Sequence, residues 1–202
     1  MMILHSSPAS PFGRKVKLAA YHLDLADKID IRTADLMDES DPVFAGNPLG
    51  KIPTLTLDDG SAVYDSRVIL EYLDQLAGGG KILPTNLSDR MQALTLQASV
   101  DGLLDAAILQ VYERRFRPEE KVHQSWLDKQ AAKVSRTLTA LEANTPAKGG
   151  TINVGTITLA CALAYLDFRF AGTWRNTHPN LVSWLADFEA TVPAFDKTRP
   201  TD

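Results

Sequence analysis

The 202 residues are 45% hydrophobic and 23% charged, enough apolar mass to bury the core of one large domain or two small ones. A formal net charge of -4, with no basic run interleaved with aromatics, argues against nucleic-acid and anionic-membrane partners. The single cysteine, Cys161, excludes an internal disulfide and points to a reducing compartment; no apolar run approaches the roughly 18 residues of a membrane span. Met1–Ser6 carries neither the basic nor the long apolar region of a signal peptide, so the expectation is a soluble cytoplasmic protein.

Met2–His5 is short and apolar and reads as a strand. Ser10-Pro11 is a helix start, a serine cap with proline at the first helical position. Val16, Ala19, Ala20 and Leu23 then recur at helical spacing, predicting a helix from Pro11 to Tyr21 or His22. Ile29 and Ile31 alternate with polar residues and give a second strand, completing a βαβ unit. Asp38–Asn47 is turn-rich, with room for one short helix. Strands over Thr54–Leu57 and Ala62–Tyr64 flank a tight hairpin at Asp58-Asp59-Gly60. Ile69, Tyr72, Leu73 and Leu76 form the stripe of an amphipathic helix, which Gly78-Gly79-Gly80 stops.

Beyond that point the pattern is wholly helical. Lys81–Asp89 reads as a linker, followed by a helix from Asp89 to Arg115. Arg117-Pro118-Glu119-Glu120 is expected to start the next, with Trp126, Leu127, Val134, Leu138 and Leu141 as its stripe. Val154–Ala171 is apolar on too many faces to lie at the surface and is placed at the centre of the second domain. A last helix begins near His178-Pro179-Asn180 and ends before Pro193.

The stretch from Leu49 to Ser66 is chemically the most informative. Pro53 interrupts a strand pattern, where a residue without an N–H belongs at an edge, a first position or a bulge. A cis Ile52–Pro53 bond turns the backbone of Ile52 outward, ready to pair with an extended ligand as an added strand would. Asp65 and Ser66 then open a helix, where N–H groups and a hydroxyl can hold a carboxylate and Asp65 an amine. The plainer reading of the same residues is a hairpin followed by a capped helix.

A small βαβ-ββα domain followed by helices resembles the cytosolic glutathione transferases, over essentially the whole chain. Ser7-Pro8-Ala9-Ser10-Pro11-Phe12-Gly13-Arg14-Lys15-Val16 resembles the first βα turn of the serine-type, bacterial-like members. Asn47–Leu55 is similar to the family's cis-proline segment, Tyr64–Leu73 to its acid-serine motif, and His178–Phe195 to its last helix and tail. The resemblance implies a thioredoxin-like α/β domain over 1–78, a linker over 79–88 and an all-α domain over 89–202 that supplies the electrophile pocket. It implies that Ser10 faces the glutathione sulfur and that Lys51 lies near the peptide's glycine end. The Ile52 backbone would pair with the cysteinyl part beside cis-Pro53, and Asp65 and Ser66 would hold the γ-glutamyl group. Phe12 and Tyr112 are the candidates for the electrophile wall, and a homodimer packed through helix 89–115 is expected.

Two departures stand out. Asn153-Val154-Gly155-Thr156 occupies the place of a cap in which an Asp normally returns the hydrogen bond, so that half of the box is expected to be weak. Asp65 replaces a commoner Glu, one methylene longer, leaving room for a water at the amine.

A thiol reacts as its thiolate, so the required chemistry is to favour ionisation at neutral pH. A hydroxyl donor and a helix N-terminus both do so, and Ser10-Pro11 can supply both; Ser10 can equally act only as a cap. The expected activity is glutathione S-transfer to a small hydrophobic electrophile, a detoxification reaction with glutathione as substrate and no cofactor. A glutathione-dependent isomerase or dehalogenase shares the same binding site. A non-catalytic binding or scaffold protein is the alternative from another class. A thiol-disulfide reductase would want Cys where Ser10 stands. His5, His22, His123 and His178 have no metal-ligand spacing, so no metal is expected. Cys161 falls on an apolar stripe as a buried small hydrophobe, and Arg114-Arg115-Phe116-Arg117 closes a helix, favourably for its dipole.

Overall fold

The computed structural model describes residues 1–201. The chain opens with β1 (Met2–Ser6), α1 (Pro11–His22), β2 (Ile29–Thr33) and the short α2 (Pro42–Gly46). The hairpin β3 (Thr54–Thr56) and β4 (Ala62–Val63) follows, then α3 (Ser66–Leu76). These strands form one sheet in the order β2-β1-β3-β4, with β1 and β2 parallel and the other neighbours antiparallel. The rest is helical: α4 (Leu87–Arg115), α5 (Gln124–Ala143), α6 (Val154–Phe170), α7 (Pro179–Thr191) and α8 (Ala194–Lys197).

The helix starts explain themselves chemically. Ser10 Oγ accepts from the Gly13 N–H at 3.0 Å, with Pro11 at the first helical position. Asp65 Oδ1 accepts from Arg67 N at 3.0 Å and caps α3. At α6, Asn153 Oδ1 accepts from Gly155 N and Thr156 N, and the Asn153 N–H donates to Thr156 Oγ1 at 2.9 Å. The expected weakness of that box is corrected: a hydroxyl returns the bond that a carboxylate was expected to return.

Other boundaries differ from the sequence pattern. Arg117–Glu120 does not open a long helix; Glu119–Lys121 is a single 3-10 turn. The helix begins at Gln124 because the His123 imidazole nitrogen accepts from Trp126 N. Trp126 lies outside the buried stripe, at 39% exposure. The stretch 81–89 is not a free linker. Ile82 and Leu83 are buried, and the Asp74 carboxylate accepts from the N–H groups of Gly80, Lys81, Ile82 and Leu83. Asn86 then caps α4, which starts at Leu87 rather than at Asp89. In β2 only the first residue, Ile29, is buried; Ile31 is exposed.

Two apolar clusters hold the chain. One lies between the sheet and helices α1 and α3 and includes Leu4, Val16, Leu55, Ile69 and Leu73. The larger surrounds α6 and takes in Leu104, Ile157, Leu163, Leu181 and Trp184. Helix α1 serves both, with Val16 and Ala20 in the first and Leu18 and Ala19 in the second. Gly155 lets α6 lie close against α4, since a Cβ there would stand 2.7 Å from the Ala93 carbonyl oxygen.

Candidate functional site at the edge of the sheet

The register brings three separate segments together. Thr54 lies opposite His5 and Thr56 opposite Ile3, so β3 begins where β1 ends. Val63 lies opposite Leu55 and Ala62 opposite Thr56, so β4 ends at that same level. The turn after β1 (Ser7–Ser10), the residues before β3 (Lys51–Pro53) and those after β4 (Tyr64–Ser66) therefore share one edge of the sheet. All of the residues implied for the thiol peptide are on these segments.

Ser10 closes the turn, donating its N–H to Ser7 O at 3.3 Å. Its oxygen is occupied as the cap of α1, but its hydroxyl proton has no acceptor among the described residues. The two readings of Ser10 are thus compatible: one oxygen can accept from Gly13 while its proton points to a ligand at the N-terminal end of α1, where partial positive charge gathers.

The Ile52–Pro53 peptide bond is cis, and so is Tyr64–Asp65. The turn before Ile52 is held by Asn47, a buried residue that sequence reading noted only as the start of a motif. Its Nδ2 donates to Lys51 O at 2.9 Å and to Thr54 Oγ1 at 3.1 Å, and its Oδ1 accepts from Leu49 N. Thr54 Oγ1 adds a second bond to Lys51 O at 2.9 Å. Gly50 turns here with φ +57°, where the Phe44 ring leaves no space for a Cβ. With Lys51 O thus saturated, the backbone N–H and C=O of Ile52 have no partner among the described residues. The Lys51 side chain is exposed, with no carboxylate within ion-pair distance among the described residues.

Asp65 and Ser66 stand at the start of α3. The N–H and hydroxyl of Ser66 have no partner among the described residues, although the residue is buried. Asp65 Oδ2 accepts from Arg67 at 3.1 Å. Partial burial pushes the Asp65 carboxyl up, but hydrogen bonds from the Arg67 side chain and backbone, with the charges of Arg67 and Lys15, hold it below its ordinary value.

Behind this edge lies a charge cluster that the sequence reading missed. Lys15 Nζ of α1 meets Asp101 Oδ1 of α4 at 2.5 Å, both buried. Arg67 Nε approaches the other oxygen, Asp101 Oδ2, at 3.7 Å. Burial pushes the Lys15 amine down and the Asp101 carboxyl up, while their mutual attraction opposes both shifts. Arg14 is also buried, donating to Phe195 O at 2.9 Å and stacking on the Phe195 ring at 4.0 Å. It ties the C-terminal α8 to α1.

The candidates for a second-substrate wall are less closely gathered. Phe12 is partly buried against the α6 cluster, 5.4 Å from the Lys15 amine. Tyr112 is 45% exposed and meets Phe116 edge-on at 5.1 Å. Tyr165 of α6, overlooked in the sequence, is buried; desolvation and a nearby Tyr112 push its hydroxyl up to about 12. Cys161 is buried at the centre of α6, and desolvation pushes its thiol up to about 11. Among the described residues, no group of His, Cys, Asp and Glu could hold a metal, and no helix is long and apolar enough to cross a membrane.

Comparison with known proteins matches this architecture at every scale. The glutathione S-transferase N-terminal domain model matches residues 4–81, and the C-terminal domain model matches residues 124–187. The uncharacterised GST-like protein YibF of Escherichia coli is 30% identical over 98% of both chains. A glutathione transferase family member from Pseudomonas fluorescens, solved with bound glutathione, is 39% identical, with a TM-score of 0.93 over the full length of both chains. A glutathione S-transferase from Methylobacillus flagellatus, solved with glutathione bound, is 33% identical, with a TM-score of 0.92 over the full length of both chains.

Proposed function

The chain belongs to the glutathione S-transferase family, a thioredoxin-like α/β domain followed by an all-helical one, and from that membership we propose that it binds glutathione along the sheet edge and transfers it to a small electrophile. One observation carries the reading: the unpartnered polar groups of that edge match the peptide's own. The Ile52 N–H and C=O pair with its cysteinyl backbone. The Ser66 N–H and hydroxyl take the γ-glutamyl carboxylate at the start of α3, and Asp65 takes the amine. Lys51 lies toward the glycine carboxylate. Ser10 donates its free proton to the sulfur.

The chemistry follows from charge. A hydrogen bond from Ser10 and the N-terminal end of α1 both favour thiolate over thiol, and the released proton goes to solvent. The thiolate attacks an electrophilic carbon; the C–S bond forms as the bond to the leaving group breaks, its electron pair departing with that group. Phe12 and Tyr112 flank the approach to the sulfur, and the chain pairs with a second copy through α4. The reaction takes place in the cytoplasm, where glutathione is kept reduced; the lone, buried Cys161 is consistent with that.

Calorimetric titration with glutathione, in parallel with Asp65→Ala, tests binding. Saturable binding that the variant weakens supports the site; absence of binding by the parent protein removes it. A screen of aryl and alkyl halides with glutathione then separates a transferase from a protein that only binds the peptide.

A further inference from the structure

The face of the sheet that carries α1 is only half covered. Leu4 lies opposite Ile31 and Ser6 opposite Thr33, and alternation along the strands turns all four side chains to one face. Helix α1 packs on the β1 half of that face through Val16 and Ala20, against a buried Leu4. The β2 half stays open, and Ile31 and Thr33 are exposed. Two adjoining cavities, of about 200 and 220 Å³, run along the gap between α1 and β2. Lys17, Tyr21 and Ile31 line both, so the two are continuous. Each is smaller than a drug-sized ligand site and suits a reagent of few heavy atoms.

Lys17 stands where the cavities meet. It is half-buried, and among the described residues its amine has no hydrogen bond and no ion pair. Burial pushes the amine down; the Cys161 thiol of α6 opposes that shift, and the Arg14 guanidinium, one turn back on α1, adds to it. The carboxylates along the gap are placed elsewhere: Asp30 is held by Arg32 at 2.8 Å, and Asp27 lines only the cavity away from α8. A partly desolvated amine without a partner is an available nucleophile, since only its neutral form carries the lone pair.

The cavity beside α8 supplies the complement. Lys197 lies over the Tyr21 ring at 5.6 Å, one turn of α1 from Lys17, with no carboxylate in ion-pair range among the described residues. Arg199 is next to it but already pairs with Asp196 and Glu189. The side-chain hydroxyls of Ser7 and Thr33 line the same cavity and have no partner among the described residues. An unpaired ammonium and two free hydroxyls are donors suited to a phosphoryl group.

We propose that Lys17 is an acylation site for small acyl phosphates. The phosphoryl group is held by Lys197, Ser7 and Thr33, and the acyl carbon meets the Lys17 nitrogen where the two cavities join. The C–N bond forms as the C–O bond to phosphate breaks. The electron pair leaves with phosphate, which also takes the proton from the amine, so the products are an amide and inorganic phosphate. None of the residues assigned to glutathione takes part, and the proposal stands apart from that reading.

The test exposes the full chain to acetyl phosphate or to the uncharged N-hydroxysuccinimidyl acetate and follows each lysine by peptide mass spectrometry. With acetyl phosphate, Lys17 should be acetylated about fivefold or more faster than the exposed Lys28 and Lys129, the scale of about one contact to a charged group. The preference should be smaller with the uncharged ester. Excess inorganic phosphate, against chloride at equal ionic strength, should slow Lys17 and leave Lys28 unchanged. Lys197→Met, a change at an exposed position, should slow Lys17 toward acetyl phosphate by a similar factor and leave its rate with the ester unaltered. Acetylation of Lys17 no faster than of Lys28 and Lys129 overturns the proposal. So does an equal preference with both reagents, or a Lys17 rate indifferent to phosphate and to Lys197→Met, since no phosphoryl group would then be recognised.

Discussion

Lys15 and Asp101 meet 2.5 Å apart with almost no access to solvent, one on α1 beneath the sheet and the other on α4 of the helical half. Arg67, one residue beyond the Asp65-Ser66 pair, reaches both Asp65 and Asp101. The pair therefore joins the two halves of the molecule immediately behind the proposed glutathione edge. Removing one member strands a buried charge, so Lys15→Met or Asp101→Leu alone is expected to cost about 3–5 kcal/mol. The double variant should recover most of that loss, since two apolar side chains leave no ion to bury. Urea midpoints of the four proteins decide it. Single variants within about 1 kcal/mol of the parent would mean that water reaches the pair.

Ser10→Ala removes both a cap and a donor, and the two losses separate in different measurements. Loss of the cap should cost about 1 kcal/mol of stability. Loss of the donor should lower turnover by about ten- to a hundredfold, with glutathione affinity nearly unchanged, as for a hydrogen bond made to a charged group. The pKa of the bound thiol should also rise toward the free value of about 8.5. Ultraviolet absorbance of the bound thiolate against pH reads that shift directly. An unchanged titration curve takes Ser10 out of the mechanism and leaves it as a cap.

Asp65→Asn keeps most of the capping geometry while removing the charge. Glutathione affinity should fall by about tenfold or more, the scale of a charge-assisted contact to the amine. The direction with pH follows from the depressed carboxyl. Its folded-state pKa lies below the unfolded value of about 3.9, so its contribution is complete above that value and is lost as pH falls through the folded pKa. The gap in affinity between parent and variant should therefore stay constant from neutral pH down to about 4 and close below it. A gap that varies across the neutral range would assign the effect to another group. The stability part is small, because the side chain is about half exposed.

Cys161 should be silent toward thiol reagents in the native state. It is buried, and desolvation raises its pKa to about 11, so little thiolate exists and little reagent reaches it. Ellman's reagent at mildly alkaline pH should report no reaction before denaturant is added and one thiol after. Rapid reaction of the folded protein would show that α6 opens readily.

The sheet edge was largely legible in the sequence because its signals are local. Ser10-Pro11 carries its own cap, Asp59-Gly60 its own turn, and Asp65 its own helix start. The residues behind the edge were not, because their partners lie far along the chain. Lys15 reads as a solvated charge until Asp101, 86 positions later, is placed against it. One faint sign existed: Val16, Leu18, Ala19 and Ala20 cover so wide an arc of α1 that Lys15 had to point inward among them. Asp74 was hidden in the same way, since a carboxylate in the last turn of a helix gives no local hint that a loop will fold back onto it. The start of α5 went wrong because Pro118-Glu119-Glu120 has the composition of a helix start, whereas the His123 cap decides the position.

Helix α1 gives Val16 to one cluster and Leu18 to the other, and the carboxylate of Asp74 clasps the segment where the chain crosses between them. The boundary visible in the sequence is thus a change of architecture without being a seam along which the molecule divides. A fragment ending near Gly80 would keep Lys15 and lose Asp101, and would turn half of its first helix outward as bare hydrocarbon. Exchange of either half between family members must therefore carry the α1–α4 contact across as a unit.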